Sequence, residues 1–230
     1  MFSPEATMLK KLDLKEEYKH LYKPSPKAVE LVKVPKLNFA MVDGRIRPGE
    51  APGTSAAFQE ALQALYGVSY TLKFMSKLRK TDPIDYPVMA LEALWWVEDG
   101  QFDISRPGNW CWRAMIMQPD HITRRMFAEA VDQVSEKRPS AAVNLLRLEA
   151  YTEGICVQTM HLGPYATEPA TVARMQAFAA EHGYADRHER ALRQGRLVVY
   201  DHHEIYLGDP RRAKPEKLQT VLRHPVRKVA

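Results

Sequence analysis

The sequence predicts an α+β protein built from two pseudo-symmetric strand-helix-strand-strand modules, whose antiparallel sheets form a central groove. Two observations lead to this prediction. Apolar residues recur either every three to four positions, as in amphipathic helices, or in short runs and alternations, as in strands. The same order of elements then occurs a second time, and a repeated order constrains the architecture more than any single element does.

The first module is predicted over residues 34–118. Its first strand is the alternating segment 37–44. Residues 54–66 place apolar side chains at helical spacing, and Gly67 is a typical helix end, so this segment is predicted to be an amphipathic helix. Three further segments are predicted to be strands, at 68–74, 86–97 and 110–117.

A connecting helix is predicted over about residues 123–138. Thr123 supplies an N-cap, Ile122 and Phe127 have the spacing of a hydrophobic staple, and Pro139 ends the helix. This helix is expected to join the two modules.

The second module is predicted over about residues 146–208. It begins with a strand at 154–163 and ends with a long strand at 196–208. Between them lies a helix that opens at Thr167 and closes at Gly183. A further strand is predicted around 187–194, so the second module repeats the order strand, helix, strand, strand with which the first module begins.

Both ends of the chain are predicted to lie outside the modules. Residues 1–33 are polar and rich in lysine, and are interpreted as a solvated N-terminal arm. Residues 214–223 carry Leu218, Val221 and Leu222 on one side of a helix, so a short C-terminal helix is predicted there.

Composition excludes several classes of protein. The chain is 45% apolar and 27% charged, which is ordinary for a globular protein. The net charge of +5 comes without a basic cluster on one face, so direct nucleic-acid binding is not expected. No membrane span or signal peptide is evident, and Cys111 and Cys156 lack disulfide or zinc spacing. A cytoplasmic protein without a cofactor is therefore expected, and its oligomeric state stays open.

Strand parity separates the side chains of the last strand of the second module. His202, Glu204 and Tyr206 project from one face, and the aliphatic Ile205 and Leu207 project from the other. We expect the aliphatic face to pack against the helices, so the polar and aromatic face should look away from them.

Glu92 is the second candidate acid, because it interrupts an apolar strand and burial of an unpaired carboxylate is costly. When the two halves of the sequence are aligned on Gly44 and Gly163, Glu92 corresponds to Glu204. If the two sheets face one another, both carboxylates line one groove. An exposed Glu92 at a sheet edge is the open alternative.

Aromatic residues are predicted to wall this groove, together with His202: Trp96, Trp110, Trp112, Tyr165 and Tyr206. Such a cleft suits a flat hydrophobic ligand, particularly a cationic or polarised one. Core packing is the alternative role for the tryptophans. A buried glutamate can accept a proton from water and a neighbouring tyrosine can donate one, so Glu204 and Tyr206 are the catalytic candidates.

His202 and Glu204 also have a two-residue spacing that metal ligands can have. A third ligand cannot be placed from the sequence, so no metal is expected. Common sequence motifs of hydrolases, nucleotide-binding proteins and metalloproteases do not occur.

Residues 161–184 read HLGPYATEPATVARMQAFAAEHGY, and residues 201–226 read DHHEIYLGDPRRAKPEKLQTVLRHPV. With ALEALWW at 90–96, they resemble GyrI-like small-molecule-binding proteins over residues 34–226. The resemblance implies two pseudo-symmetric modules with a ligand groove between them. It is a resemblance to the free-standing branch, because no helix-turn-helix pattern precedes residue 34.

Some free-standing members of that family are similar to hydrolases that open the cyclopropane ring of DNA-alkylating natural products of the yatakemycin type. The matching positions are Glu204 and Tyr206, with Glu92 from the first module. The resemblance therefore favours a protein that binds hydrophobic aromatic molecules and hydrolyses strained ones. The alternatives are drug sequestration or sensing without turnover, and a protein-interaction module similar to the gyrase inhibitor.

Overall fold

The computed structural model describes residues 8–98, 102–104, 106–187, 190–193, 196–199 and 202–229. Its six longest strands form one antiparallel barrel. They are β1 (Glu30–Arg45), β2 (Leu91–Trp96), β3 (Cys111–Gln118), β4 (Arg147–Leu162), β5 (His202–Tyr206) and β6 (Gln219–Lys228). The shorter strands are Lys10–Lys11 paired with Ile84–Asp85, Tyr184–Asp186 paired with β6, and Arg190–Arg193 paired with Arg196–Val199.

The barrel closes because each of its six strands is paired on both sides. The order around the ring is β5, β2, β3, β1, β4, β6 and back to β5. In β5, His203 lies opposite Leu94 of β2 on one side and opposite Arg223 of β6 on the other. A closed sheet leaves none of these strands as a free edge. The predicted α+β class with antiparallel pairing is thus confirmed, and the sheet is curled into a barrel.

Two long helices, α3 (Ala56–Lys77) and α6 (Glu168–Glu181), cover the outer face of the barrel. Phe58 of α3 contacts Trp95 of β2, and Met175 of α6 packs with Leu222 of β6. Thr123 caps α4 through its hydroxyl, as predicted. None of the helices in the described ranges has the length and apolar character needed to cross a bilayer. The α-helices of the described residues are α1 (Leu14–Glu17), α2 (Lys19–Tyr22), α3 (Ala56–Lys77), α4 (Arg124–Lys137), α5 (Ala141–Asn144) and α6 (Glu168–Glu181).

Helix α3 is longer than the sequence predicts. The predicted helix 54–66 and the predicted strand 68–74 form one continuous helix. Gly67 lies inside this helix and does not end it, because buried side chains before and after it, among them Leu65 and Val68, hold the helix in place. A Cβ atom at Gly67 would make an ordinary contact of 3.4 Å with Val134 of α4. The prediction of a strand at 68–74 is therefore wrong.

The C-terminal helix predicted at about 214–223 is also wrong. The chain forms one 3-10 turn at Pro215–Lys217 and then continues as β6. Val221 and Leu222 are adjacent and both fully buried, because one faces the barrel interior and the other packs against α6. A strand that is covered on both sides has no alternation of apolar and polar residues by which to recognise it.

Residues 8–28 pack against the barrel, which corrects the prediction of a solvated arm for this part of the chain. Leu21 and Tyr22 are buried. The main-chain oxygen of Leu21 accepts a hydrogen bond of 2.6 Å from Nη2 of Arg223 in β6. A lysine-rich composition conceals this contact, because only a few apolar side chains make it.

Candidate functional site

Strand β5 divides its side chains between two buried clusters on opposite faces of the sheet. His202, Glu204 and Tyr206 share the outer face, as their parity predicts. His203 and Ile205 project into the barrel. The expectation that the polar face looks away from the helices is wrong, because the first residue of α6 contacts His202. Since the sheet closes, the aliphatic side chains are buried in the barrel interior and need no helix to cover them.

The outer cluster consists of Glu168, His202, Glu204 and His224. Nε2 of His202 lies 3.1 Å from Oε1 of Glu204 and 3.5 Å from Oε2 of Glu168. On the other side of the ring, Nδ1 of His202 lies 2.9 Å from Nε2 of His224. Glu204 is the most exposed of the four residues, with 6% of its surface accessible. His202 is therefore held between two carboxylates in a site that is almost closed to solvent.

The environment changes the proton affinities of this cluster. Burial disfavours the imidazolium of His202, but hydrogen bonds to Glu168 and Glu204 outweigh it and raise its pKa to about 9. Burial, together with the charge of Glu204, raises the pKa of Glu168 to about 7. At neutral pH the cluster therefore contains a cationic histidine beside a carboxyl group that titrates near neutrality.

Aromatic rings surround the outer cluster. Phe102 stacks on His202 with ring centroids 5.9 Å apart, and Trp110 contacts Phe102 at 4.9 Å. Tyr165 meets Tyr206 edge to face at 5.9 Å. Phe102, Tyr165 and Tyr206 are half-buried, so they form the boundary between the cluster and solvent.

The hydroxyl of Tyr206 interacts with both an aromatic and an acidic neighbour. It accepts a hydrogen bond of 3.3 Å from Nε1 of Trp95. Burial, the charge of Glu204 and a hydrogen bond to that carboxylate raise the pKa of Tyr206 well above its ordinary value. Tyr206 is therefore protonated at neutral pH and can donate its proton beside Glu204.

Glu92 does not converge with Glu204. Glu92 lies opposite Ile205 and Glu204 lies opposite Ala93. Directly opposed residues project to the same side of a sheet, so the two acids project to opposite faces. The predicted meeting of both carboxylates in one groove is wrong. Trp96 shares the parity of Glu92 and is likewise on the inner face.

Trp112 lies on the outer face, opposite Trp95 of β2, and its ring packs against Phe58 with centroids 5.1 Å apart. The indole also lies over Gly44, where a Cβ atom would overlap it. Trp112 is 2% exposed and acts as a core residue. Of the predicted site residues, the structure brings together Trp110, Tyr165, His202, Glu204 and Tyr206.

An inner cluster of Tyr22, Glu92, Glu153, His203 and Arg223 fills part of the barrel. The Tyr22 hydroxyl donates to Oε1 of Glu92, whose Oε2 lies 3.1 Å from His203 Nε2. Oε1 of Glu153 lies 2.9 Å from Nδ1 of His203. Oε2 of Glu153 accepts a hydrogen bond of 3.4 Å from Nη1 of Arg223. Each acid thus has a partner, and the N-terminal segment occupies the space beside Glu92.

Opposite charges in the inner cluster determine its protonation. Burial alone would raise the pKa of Glu153, but the charges and hydrogen bonds of His203 and Arg223 lower it. Burial alone would lower the pKa of His203, but Glu153 and Glu92 raise it. The cluster is a buried ion network rather than a ligand site.

The sequence reasoning missed Glu168, His224, Phe102 and Trp95. Glu168 precedes Pro169 at the start of α6, and an acid is common at that position for helix-dipole reasons alone. His224 occupies an outer-face position of β6, just beyond the end of the helix predicted at about 214–223. No local pattern marks any of the four as a neighbour of β5.

Comparison with known proteins gives relatives among solved structures. No protein-family model matches the chain, and no curated protein matches it. A conserved protein from Listeria innocua is 37% identical, with a TM-score of 0.80, over 94% of this chain and 100% of its own. A hydrolase from Listeria innocua is 38% identical, with a TM-score of 0.78, over 95% of this chain and 100% of its own. A second hydrolase from that organism is 34% identical, with a TM-score of 0.75, over 94% of this chain and 100% of its own.

These three likenesses extend over nearly the whole chain at more than 30% identity, which places the barrel and both faces of β5 within the shared structure. The chain therefore belongs to the same family as these Listeria innocua proteins.

Proposed function

We propose that this protein binds hydrophobic aromatic small molecules at the outer cluster and hydrolyses strained cyclopropanoid compounds of the DNA-alkylating type. Two relatives that share its fold over their full length are described as hydrolases. The observation that carries the proposal is the pairing of Glu204 and Tyr206 on one face of β5, bordered by Trp95, Trp110 and Tyr165. The resemblance to GyrI-like proteins supports the same assignment.

In the proposed reaction, Glu204 removes a proton from water as the water oxygen bonds to a ring carbon of the cyclopropane. The carbon–carbon bond to that carbon breaks, and its electron pair moves into the conjugated carbonyl. The carbonyl oxygen takes the proton of Tyr206. Glu204 then releases the proton that it took from water, and Tyr206 regains one proton, so both side chains return to their starting state. The net change is the addition of one water, and relief of ring strain drives it. The aromatic rings hold the planar body of the ligand.

A ligand of this size must displace part of the boundary, because Glu204 is only 6% exposed. The half-buried rings of Phe102 and Tyr165 are the side chains best placed to move. Tyr165 begins the 3-10 turn Tyr165–Thr167 and Phe102 lies between β2 and β3, so neither ring belongs to a hydrogen-bonded strand. Opening of the site therefore leaves the barrel intact.

Product analysis of the purified full-length protein with a yatakemycin-type cyclopropanoid tests the proposal. The expected product is the ring-opened compound with one added water. Glu204→Gln should reduce turnover by about 10²–10⁴-fold, the usual contribution of a general base, and Tyr206→Phe should also reduce it.

Glu181→Gln and Tyr70→Phe are the matched controls, because both residues are exposed and lie far along their helices from the cluster. Unchanged turnover in Glu204→Gln would contradict the assigned role. Tight binding without product would indicate sequestration and would overturn the hydrolase assignment.

We also infer that the two halves of the chain are related by duplication. Each half has the order strand, helix, strand, strand: β1, α3, β2, β3 in the first and β4, α6, β5, β6 in the second. Exchange of each element with its counterpart leaves the order of strands around the ring unchanged. The site lies beside the pairing of β2 with β5, where the two halves meet.

A further inference from the structure

We propose that Glu168, His202 and Glu204 form a binding site for a divalent transition-metal ion of the zinc type. The inference rests on the geometry of these three side chains and is independent of the proposed hydrolysis. In the sequence, no third ligand accompanies His202 and Glu204. The fold supplies it by placing the first residue of α6 over β5.

The distances fit a small ion held between the three groups. Nε2 of His202 lies 3.1 Å from Oε1 of Glu204 and 3.5 Å from Oε2 of Glu168. Ligands about 2.0–2.1 Å from a tetrahedral zinc ion are about 3.3 Å from one another. Both measured distances are close to that value. The ligand atoms of all three residues lie within 4.8 Å of one another.

Glu168 provides a second observation that points to a ligand. Its Oε1 is buried and forms no hydrogen bond to any described residue, although Glu168 is only 1% exposed. An unpaired carboxylate oxygen in such a place is costly. A bound cation beside the carboxylate would remove that cost.

The orientation of His202 is also that of a metal ligand. Its Nδ1 is held 2.9 Å from Nε2 of His224, which leaves Nε2 directed at both carboxylates. Ligating histidines generally use their second nitrogen for a hydrogen bond that fixes the ring in this way. His224 is therefore a positioning residue in the proposed site.

Charge distinguishes the outer cluster from the inner one. The inner cluster also combines two acids with a histidine, but Arg223 supplies a buried positive charge there. In the described part of the chain, no lysine or arginine forms an ion pair with Glu168 or Glu204. An ion that binds here displaces the proton of His202, and the two carboxylates and the neutral imidazole that result are neutralised by one divalent ion. This donor set suits zinc and related transition metals.

Metal binding by the chelator-treated, untagged full-length protein tests the site without any substrate. Calorimetric titration with zinc chloride should show one ion per chain, and bound zinc should raise the melting temperature. Cobalt chloride is the spectroscopic probe, and visible absorption typical of low coordination is expected. Glu168→Gln should weaken zinc binding by at least about tenfold, because loss of even an outer partner of a metal ligand costs 10–100-fold. Glu181→Gln, at the exposed end of the same helix, should bind zinc as the wild type does.

Wild-type protein that binds no zinc, or binds it without a rise in melting temperature, would overturn the proposal. Equal zinc affinity in Glu168→Gln and wild type would also overturn it, since the ion would then lie elsewhere. Melting curves without metal establish whether the Glu168→Gln variant is folded. If that variant is unfolded, Glu168→Asp, whose shorter side chain withdraws the carboxylate, is tested in its place. Because Glu204 is both the proposed base and a ligand, bound zinc should inhibit hydrolysis, and a chelator should restore it.

Discussion

Replacement of Tyr22 by phenylalanine removes one hydroxyl from the barrel interior and keeps the ring. That hydroxyl donates to Oε1 of Glu92 and lies 3.7 Å from Sδ of Met117. The other oxygen of Glu92 is 3.1 Å from Nε2 of His203. In Tyr22→Phe, Glu92 therefore keeps its histidine partner and loses its phenol partner.

The free energy of unfolding should fall by about 1.5–3 kcal/mol, the usual contribution of a hydrogen bond to a charged group. Water cannot readily replace the hydroxyl, because Glu92 is 0% exposed and Tyr22 is 5% exposed. The phenyl ring still fills its site, so no large cavity adds to the cost.

Urea denaturation followed by tryptophan fluorescence measures this change. Tyr70→Phe is the matched control, because Tyr70 is 50% exposed on α3, and its effect should stay within about 0.5 kcal/mol. A Tyr22→Phe variant as stable as this control would refute the inference that the N-terminal segment supplies a necessary partner to Glu92.

Two further predictions concern stability. Acidification below pH 4.5, the ordinary pKa of a glutamate, should destabilise the protein, because folding lowers the pKa of Glu153. The contribution of Glu153 to stability is present above its unfolded pKa and is lost as the pH falls through its folded pKa. The pKa of His203 is raised, so its contribution is complete below its ordinary value of 6.5 and is lost as the pH rises through the folded value. The midpoint of urea unfolding, measured as a function of pH, should decrease both in acid and in base. A midpoint that stays constant as the pH falls below 4.5 would contradict the role of Glu153. Gly44→Ala should lower the free energy of unfolding by about 1–3 kcal/mol or more in a denaturation experiment, because the new Cβ would overlap the indole of Trp112. Gly53→Ala, with no atom within 4 Å of its Cβ, is the control and should be nearly neutral. Equal effects of the two substitutions would refute the packing argument.

Alternation along β5 was sufficient to predict that His202, Glu204 and Tyr206 share a face. It could not predict which face, because that depends on closure of the barrel by β6, a pairing between distant parts of the chain. The same limit applies to Glu92. A one-residue difference in register between β2 and β5 moves its side chain to the other side of the sheet, and spacing within one strand contains no information on register.

Other features were hidden because tertiary contacts override local signals. Gly67 is a helix terminator by composition, but α3 continues through it because Leu65 and Val68 on either side of it are fully buried. Val221 and Leu222 suggest a helix face until both sides of β6 are seen to be covered. Glu168 lies at the start of a helix that the sequence predicts, but only the packing of α6 on β5 brings it to the outer cluster.

The hydrogen bond from Arg223 to the main chain of Leu21 joins positions 202 residues apart. Because β6 also closes the ring, neither the barrel nor its buried ion network can be completed before the last strand has left the ribosome. Such distant pairings raise the contact order and slow folding. Until β6 pairs, Glu153 lacks its contact with Arg223, so the closed barrel and its ion network both depend on the integrity of Gln219–Lys228.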